Sequence, residues 1–184
     1  MDIAELVRTL LALQVRIYEL TDDDRRPVPH PPIDAGSLAA LERWFAARAA
    51  ALPPSYRAFL QVCDGIDDYS FSYHLFGSRD LLSPEYDSIA ERALGNAASG
   101  LERESADDLI LIGRHPETRT RLILDPRHAP LEPGETVVFD GDPGFMSLHA
   151  SFGSFLAMSV QAKQMTIATL EQPNRGVPDD DDER

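Results

Sequence analysis

The 184-residue chain has one cysteine, Cys63, and one lysine, Lys163. A single thiol excludes an intrachain disulfide and a cysteine-based zinc site. Because Cys63 falls on the apolar face of an expected helix, it reads as a small buried hydrophobe. The lone lysine among 17 basic residues reads as a compositional bias toward arginine and not as chemistry. Long hydrophobic runs are also missing. No stretch approaches the roughly 18 apolar residues of a membrane helix, and Asp2, Glu5 and Arg8 interrupt any signal-peptide core, so a cytoplasmic protein is expected. Positive charge is scarce, with 17 bases against 31 acids, a net charge of −14 and an isoelectric point near 4.6. Binding to nucleic acid or an anionic membrane needs phosphates to be neutralised, so neither is expected as a direct ligand. A basic protein partner suits the charge better. The acids of the terminal run 179–183 account for only part of the imbalance, and the domain itself is acidic.

What is present is ordinary globular composition, 43% hydrophobic and 26% charged. The length suits one domain that hides about 70% of its unfolded surface. Ile3, Leu6, Val7, Leu10, Leu13, Ile17 and Leu20 recur at helical spacing, which predicts an amphipathic helix over residues 2–20. The following Pro27, Pro29, Pro31 and Pro32 read as a surface connection that sustains neither helix nor ladder. Residues 1–33 thus form a helix and Pro-rich connection belonging to the same domain. The core spans 34–170, and 171–184 reads as a disordered acidic tail. Within the core, one helix carries Leu38, Leu41, Trp44, Phe45 and Leu52. A second carries Tyr56, Phe59, Leu60 and Cys63 and is capped by Gly65. A strand is expected from Phe71 to Phe76, and a helix from Ser83 to about Leu94 with Ser83 as N-cap. Three apolar runs, 109–112, 120–124 and 136–139, predict strands, and a closing helix follows Ser151. Helices, then strands, then a helix predict an α+β domain around a mixed or antiparallel sheet with helices packed on it. Trp44, Phe45, Tyr56, Phe59, Leu60, Ile110, Ile112, Phe139, Phe155 and Leu156 are expected to be largely buried.

Catalytic signals are weak. The five histidines lack metal-site spacing. His115, Asp125, His128, Asp140 and Asp142 fall at strand ends, where they suit turns or, alternatively, a metal-dependent hydrolase. Ser151 and Ser154 flank Gly153 without a nucleophile-elbow frame. There is no phosphate loop and no Gly-x-Gly-x-x-Gly. No metal, no cofactor and no enzymatic activity are expected. The stretch from Asp64 to Tyr73 stands out, with three acids and two tyrosines between helix and strand. Either it is a solvated loop with Phe71 and Tyr73 tucked inward, or it is a recognition surface in which an aromatic anchor is ringed by carboxylates. The second reading assigns partner binding to Asp64, Asp67, Asp68 and Tyr69, with Glu85 and Asp87 from the next helix start.

Leu52-Pro53-Pro54-Ser55-Tyr56-Arg57-Ala58-Phe59-Leu60, followed by Asp64-Gly65, resembles the signature of the SUKH superfamily, which includes a fungal cell-wall-assembly regulator and many bacterial toxin-immunity proteins. In the family's order, Trp44-Phe45, Leu75-Phe76-Gly77, Leu109-Ile110-Leu111-Ile112-Gly113 and Ser151-Phe152-Gly153-Ser154-Phe155-Leu156 resemble its preceding helix, first strand, core strand and closing helix. The resemblance covers residues 34–165. The chain departs from it at Arg114-His115-Pro116-Glu117-Thr118-Arg119, where the family often has a Gly- and Asp-rich turn. The resemblance implies a SUKH-like fold and a binding protein without catalytic residues. It suggests an immunity protein that occludes the active site of a basic toxin domain encoded nearby, as a monomer or weak homodimer. The alternative is a regulatory scaffold that binds host proteins.

Overall fold

The computed structural model describes residues 2–95, 108–126, 135–141 and 146–172. Among them, six helices pack on one open, wholly antiparallel seven-stranded sheet. Helix α1, Ile3–Leu20, is capped by the Asp2 carboxylate, which accepts from Glu5 N at 2.7 Å. Its buried stripe is Leu6, Val7, Leu10, Gln14, Ile17 and Tyr18. Gln14 and Tyr18, both fully buried, take the places that periodicity would give Leu13 and Leu20.

The Pro-rich connection does form a ladder, contrary to expectation. Strand β1, Val28–Pro29, pairs with the strand after the third helix, Val28 opposite Asp67 and Pro29 opposite Ile66. Two residues at the sheet edge tolerate a proline, whose missing N–H can face away from the ladder. Backbone bonds from His30 N to Gly65 O and from Asp64 N to Pro31 O continue the attachment.

Helices α2, Ala35–Ala47, and α3, Pro54–Val62, follow. α2 stops well before Leu52, at Ala47. α3 starts with Pro54 in its first turn, and Tyr56, Phe59 and Leu60 face the core. Gly65 holds φ +96°, and a Cβ there would meet Gly77 N at 2.8 Å, so only glycine fits between α3 and the sheet.

Strands β2, Ile66–Ser70, and β3, Tyr73–Leu75, form a hairpin. Its register runs from Ile66 opposite Leu75 to Ser70 opposite Tyr73, so four steps on β2 face two on β3 and β2 is bulged. Helices α4, Ser78–Leu81, and α5, Tyr86–Leu94, cover one end. α5 begins at Tyr86, not at Ser83, although Ser83 Oγ does accept from Glu85 N at 3.2 Å.

Strands β4, Ile110–Arg114, β5, Arg121–Leu124, β6, Val137–Asp140, and β7, Met146–His149, extend the sheet in chain order. β7 alternates exposed Met146 and Leu148 with inward Ser147 and His149, and sequence reading assigned it no strand. Helix α6, Phe152–Leu170, is capped at the expected Ser151, which accepts from Ser154 N at 3.1 Å. Phe152, Phe155, Leu156 and Val160 seat its first half on the sheet and α3, while its length runs along α1. Of the residues expected in the core, Trp44 and Phe139 are only partly buried. Trp44 instead lies under the Arg48 guanidinium, 3.7 Å from its ring centre. From residue 173 onward the acidic tail lies outside the described residues.

Candidate functional site

The structure scatters the six acidic-turn residues singled out for partner binding, and it uses several of them internally. Asp64 belongs to the fold, because its carboxylate accepts from Ser78 N at 2.6 Å and also from the Ser78 hydroxyl. Asp67 lies on β2 among three bases, 2.9 Å from His30 Nε2, 3.3 Å from His74 Nδ1 and 2.7 Å from Arg79. Burial works to raise its pKa, but hydrogen bonds from Arg79 and His30 prevail and hold the carboxyl below its ordinary range. Tyr69 is 5% exposed and points inward, so it offers a partner no anchor. The cause is the bulge. Strict alternation from Ile66 would turn Asp68 inward, whereas the bulge, four steps on β2 against two on β3 with Asp68 at φ +50° inside it, brings Tyr69 to the core face. Glu85 and Asp87 are both exposed at the start of α5, and Asp87 meets Arg48 at 2.6 Å.

The exposed aromatic of this hairpin is Phe71, which the solvated-loop reading tucks inward and which is 41% exposed at the turn. Phe71 and Ser72 both adopt left-handed backbone, φ +43° and +68°, which costs non-glycine residues about 1–3 kcal/mol each. Tertiary bonds hold the tip there. Phe71 N donates to Tyr18 Oη at 2.8 Å, and Tyr18 Oη donates to Asp68 O at 3.2 Å. The Tyr18 and Phe71 rings meet edge-on at 5.4 Å. Arg25 lies over both rings and donates to Ser72 Oγ at 2.6 Å, while Asp23 holds its guanidinium. Asp22 and Asp24 are exposed in the same turn as Asp23.

Behind Phe71 a cleft of about 560 Å³ opens between the sheet and the second half of α6, a volume typical of small-molecule sites. Its floor is Tyr69, Tyr73, Phe139, Ser147 and His149, from β2, β3, β6 and β7. Its roof is α6, from Phe155 past Met158 and Ser159 to Lys163, with Ile17 of α1 alongside. His115, Thr118 and Thr120 of the β4–β5 turn close one end. No described Asp or Glu lines it, although the chain carries 31 acids.

Lys163 is 7% exposed. Its ammonium donates to Gln14 Oε1 of α1 and lies 4.9 Å from the Tyr69 ring centre, a cation–π contact. No described carboxylate pairs with it, and burial pushes its pKa down to about 8. Tyr73 lies 6.0 Å from Tyr69, centre to centre. Its buried hydroxyl has no hydrogen-bond partner among the described residues. Gly113 makes room for it, since a Cβ there would come within 3.2 Å of that oxygen. Burial likewise lowers His149, leaving a neutral ring that meets Ser147 Oγ at 3.0 Å and the edge of Phe155 at 5.4 Å.

The proposed hydrolase cluster is distributed differently. His115 Nδ1 accepts from Glu117 N and Thr118 N, both at 3.1 Å, and so ties the β4–β5 turn. Asp140 pairs with Arg121 at 2.6 Å. Asp125 is buried at the end of β5, and His128 and Asp142 lie outside the described residues. Among the described residues, no three His, Cys, Asp or Glu side chains gather closely enough to hold a metal ion. Burial pushes the Cys63 thiol up to about 12, far from a nucleophile's range. Likewise, among the described residues no helix is long and apolar enough to cross a membrane. No protein-family model matches the chain, and no curated protein matches it.

Proposed function

We propose that this protein is a non-catalytic binding protein that neutralises a basic toxin domain by covering its active site, and that the tip of the β2–β3 hairpin is the part that meets it. The observation that carries the reading is the cost of that tip. Asp68, Phe71 and Ser72 hold strained backbone so that a large apolar side chain faces solvent, and Tyr18 and Arg25 lock it there. Strain of this kind persists where surrounding structure over-determines it, and rigid aromatic side chains dominate binding energy. Asp22 and Asp24 are exposed in the turn whose Arg25 reaches the tip, and the net charge of −14 steers a basic partner toward the whole domain. The SUKH resemblance supports the same class of function.

The test is co-expression with the product of the neighbouring open reading frame, scored for rescue of growth and followed by binding kinetics. Rescue by the wild type and its loss in Phe71→Ala, with affinity falling about thirtyfold (~2 kcal/mol) mainly through faster dissociation, is the expected result. Full rescue by Phe71→Ala would place the interface elsewhere, the exposed Glu85 and Asp87 being the next surface to vary.

A further inference from the structure

We propose that the cleft between the sheet and α6 binds a small amphipathic carboxylate, a fatty-acid-like molecule whose head group is held at Lys163 and whose apolar chain lies between the sheet floor and the helix. This site borders the partner surface at Phe71 but does not depend on that reading.

Three observations converge on the chemistry. First, a charged group is almost never fully buried unless it is paired, yet among the described residues the ammonium of Lys163 has only a neutral amide oxygen and an aromatic face for company. A monoanion supplies the missing counterion. A dianion such as phosphate would ask for further cations, and the described lining offers only histidines, one of them held neutral by burial. Second, the hydroxyl of Tyr73, a residue of the cleft lining, and the Gln14 amide nitrogen are buried donors without an acceptor among the described residues. A carboxylate has acceptor sites for both groups. Third, most of the remaining wall surface is apolar, with Phe139 on the floor, Phe155 and Met158 on the roof, and Phe71 at the mouth, and its polar groups are hydroxyls and imidazoles such as Ser147 and the neutral His149.

The sign of the charge is selective. The cleft of this acidic protein has no described carboxylate in its lining and holds the chain's only lysine, so an anionic head group is favoured there. The ligand is therefore recognised by its head group as well as by its chain.

The experiment is calorimetric titration of the full-length protein with dodecanoate below its micellar concentration, against dodecanol and dodecyltrimethylammonium as controls of equal chain length. Saturable one-to-one binding of dodecanoate, at least tenfold tighter than either control, is expected. Lys163→Met should abolish the preference for the carboxylate while leaving weak, head-group-blind binding, and Tyr73→Phe should weaken dodecanoate severalfold. Ala162→Trp narrows the cleft from an exposed helix position and should remove binding of all three compounds with the circular dichroism spectrum unchanged. This variant keeps the test decisive if Lys163→Met fails to fold. Equal affinity for the three head groups, or binding that survives Ala162→Trp, would overturn the proposal, as would the absence of saturable binding to the wild type.

Discussion

Phe71 and its neighbours Tyr69 and Tyr73 belong to one short hairpin, yet they serve opposite surroundings. The tip is strained, carboxylate-rich and exposed. The floor behind it is buried, built of aromatic rings and faced by a cation. A bulge separates the two environments, since β2 takes four steps where β3 takes two, and with Asp68 left-handed inside it Tyr69 faces the core while Phe71 faces water. Side-chain chemistry alone would let a tyrosine face solvent more readily than a phenylalanine. Backbone register overrides that preference here.

Substitutions at the two positions should separate the environments most sharply. Tyr69→Ala removes a ring packed against Tyr73 and Phe155 and is expected to cost about 3–5 kcal/mol in chemical denaturation. Phe71→Ala should change stability by less than about 1 kcal/mol. Comparable losses at both sites would mean that the tip is part of the core and not a presented surface.

Next in size is the lysine of the cleft. A lysine whose pKa falls from 10.5 unfolded to about 8 folded weakens the fold wherever the folded form is still charged, and the penalty is full below pH 8. Lys163→Met should therefore stabilise the protein at pH 7 by up to about 3 kcal/mol, at about 1.4 kcal/mol per pH unit of separation. The gain should shrink as pH rises from 8 toward 10.5, where the wild-type folded lysine has lost its proton. Parallel urea melts of both proteins across that range measure it, and the buried tyrosines, common to both, cancel. A gain independent of pH would remove the buried ammonium from the account.

The smallest effect belongs to Asp67. Its depressed pKa contributes stability above the unfolded carboxylate value near 4, which is lost as pH falls through the folded value. With the side chain about one-third exposed, Asp67→Asn should cost under about 1 kcal/mol at pH 7 and nothing once the wild-type carboxyl is protonated. Acid titrations of the melting temperature would show the two curves converging, and curves that stay parallel would dissociate Asp67 from its three bases.

Where apolar spacing was regular and long, the sequence was easy to read. α1, α3 and α6 with its Ser151 cap stand where the 3.6 period puts them, and β4, β5 and β6 fall within a residue or two of their apolar runs. β2 was hidden because two consecutive aspartates and a bulge break the period of two. β7 was hidden because its outward face is the apolar one, Met146 and Leu148, and its inward face carries Ser147 and His149. β1 is two residues long and half proline, a pairing that only the partner strand specifies. The cleft was the least legible feature. Its lysine looked like a leftover of base composition, and its worth rests on α1, α6 and β2 meeting in space. One signal was available, a solitary lysine on the flank of a helix otherwise reading as core, next to a chain strongly biased toward arginine.

The strands of the sheet stand in the same order as in the chain, so every ladder joins strands adjacent in sequence, although Val28 opposite Asp67 and His74 opposite Arg114 close separations of 39 and 40 residues. The helical clasp over the cleft reaches much further, because Gln14 and Lys163 are 149 positions apart. Loop-closure entropy orders these events, with local hairpins forming before distant ends meet. On that ground the folding nucleus belongs to the local hairpins of the sheet and α3, and the docking of α1 on α6 comes after the transition state. Substitutions along the α1–α6 seam should then speed unfolding and leave the refolding rate nearly untouched, so the lifetime of the native state is set where the first and last helices touch.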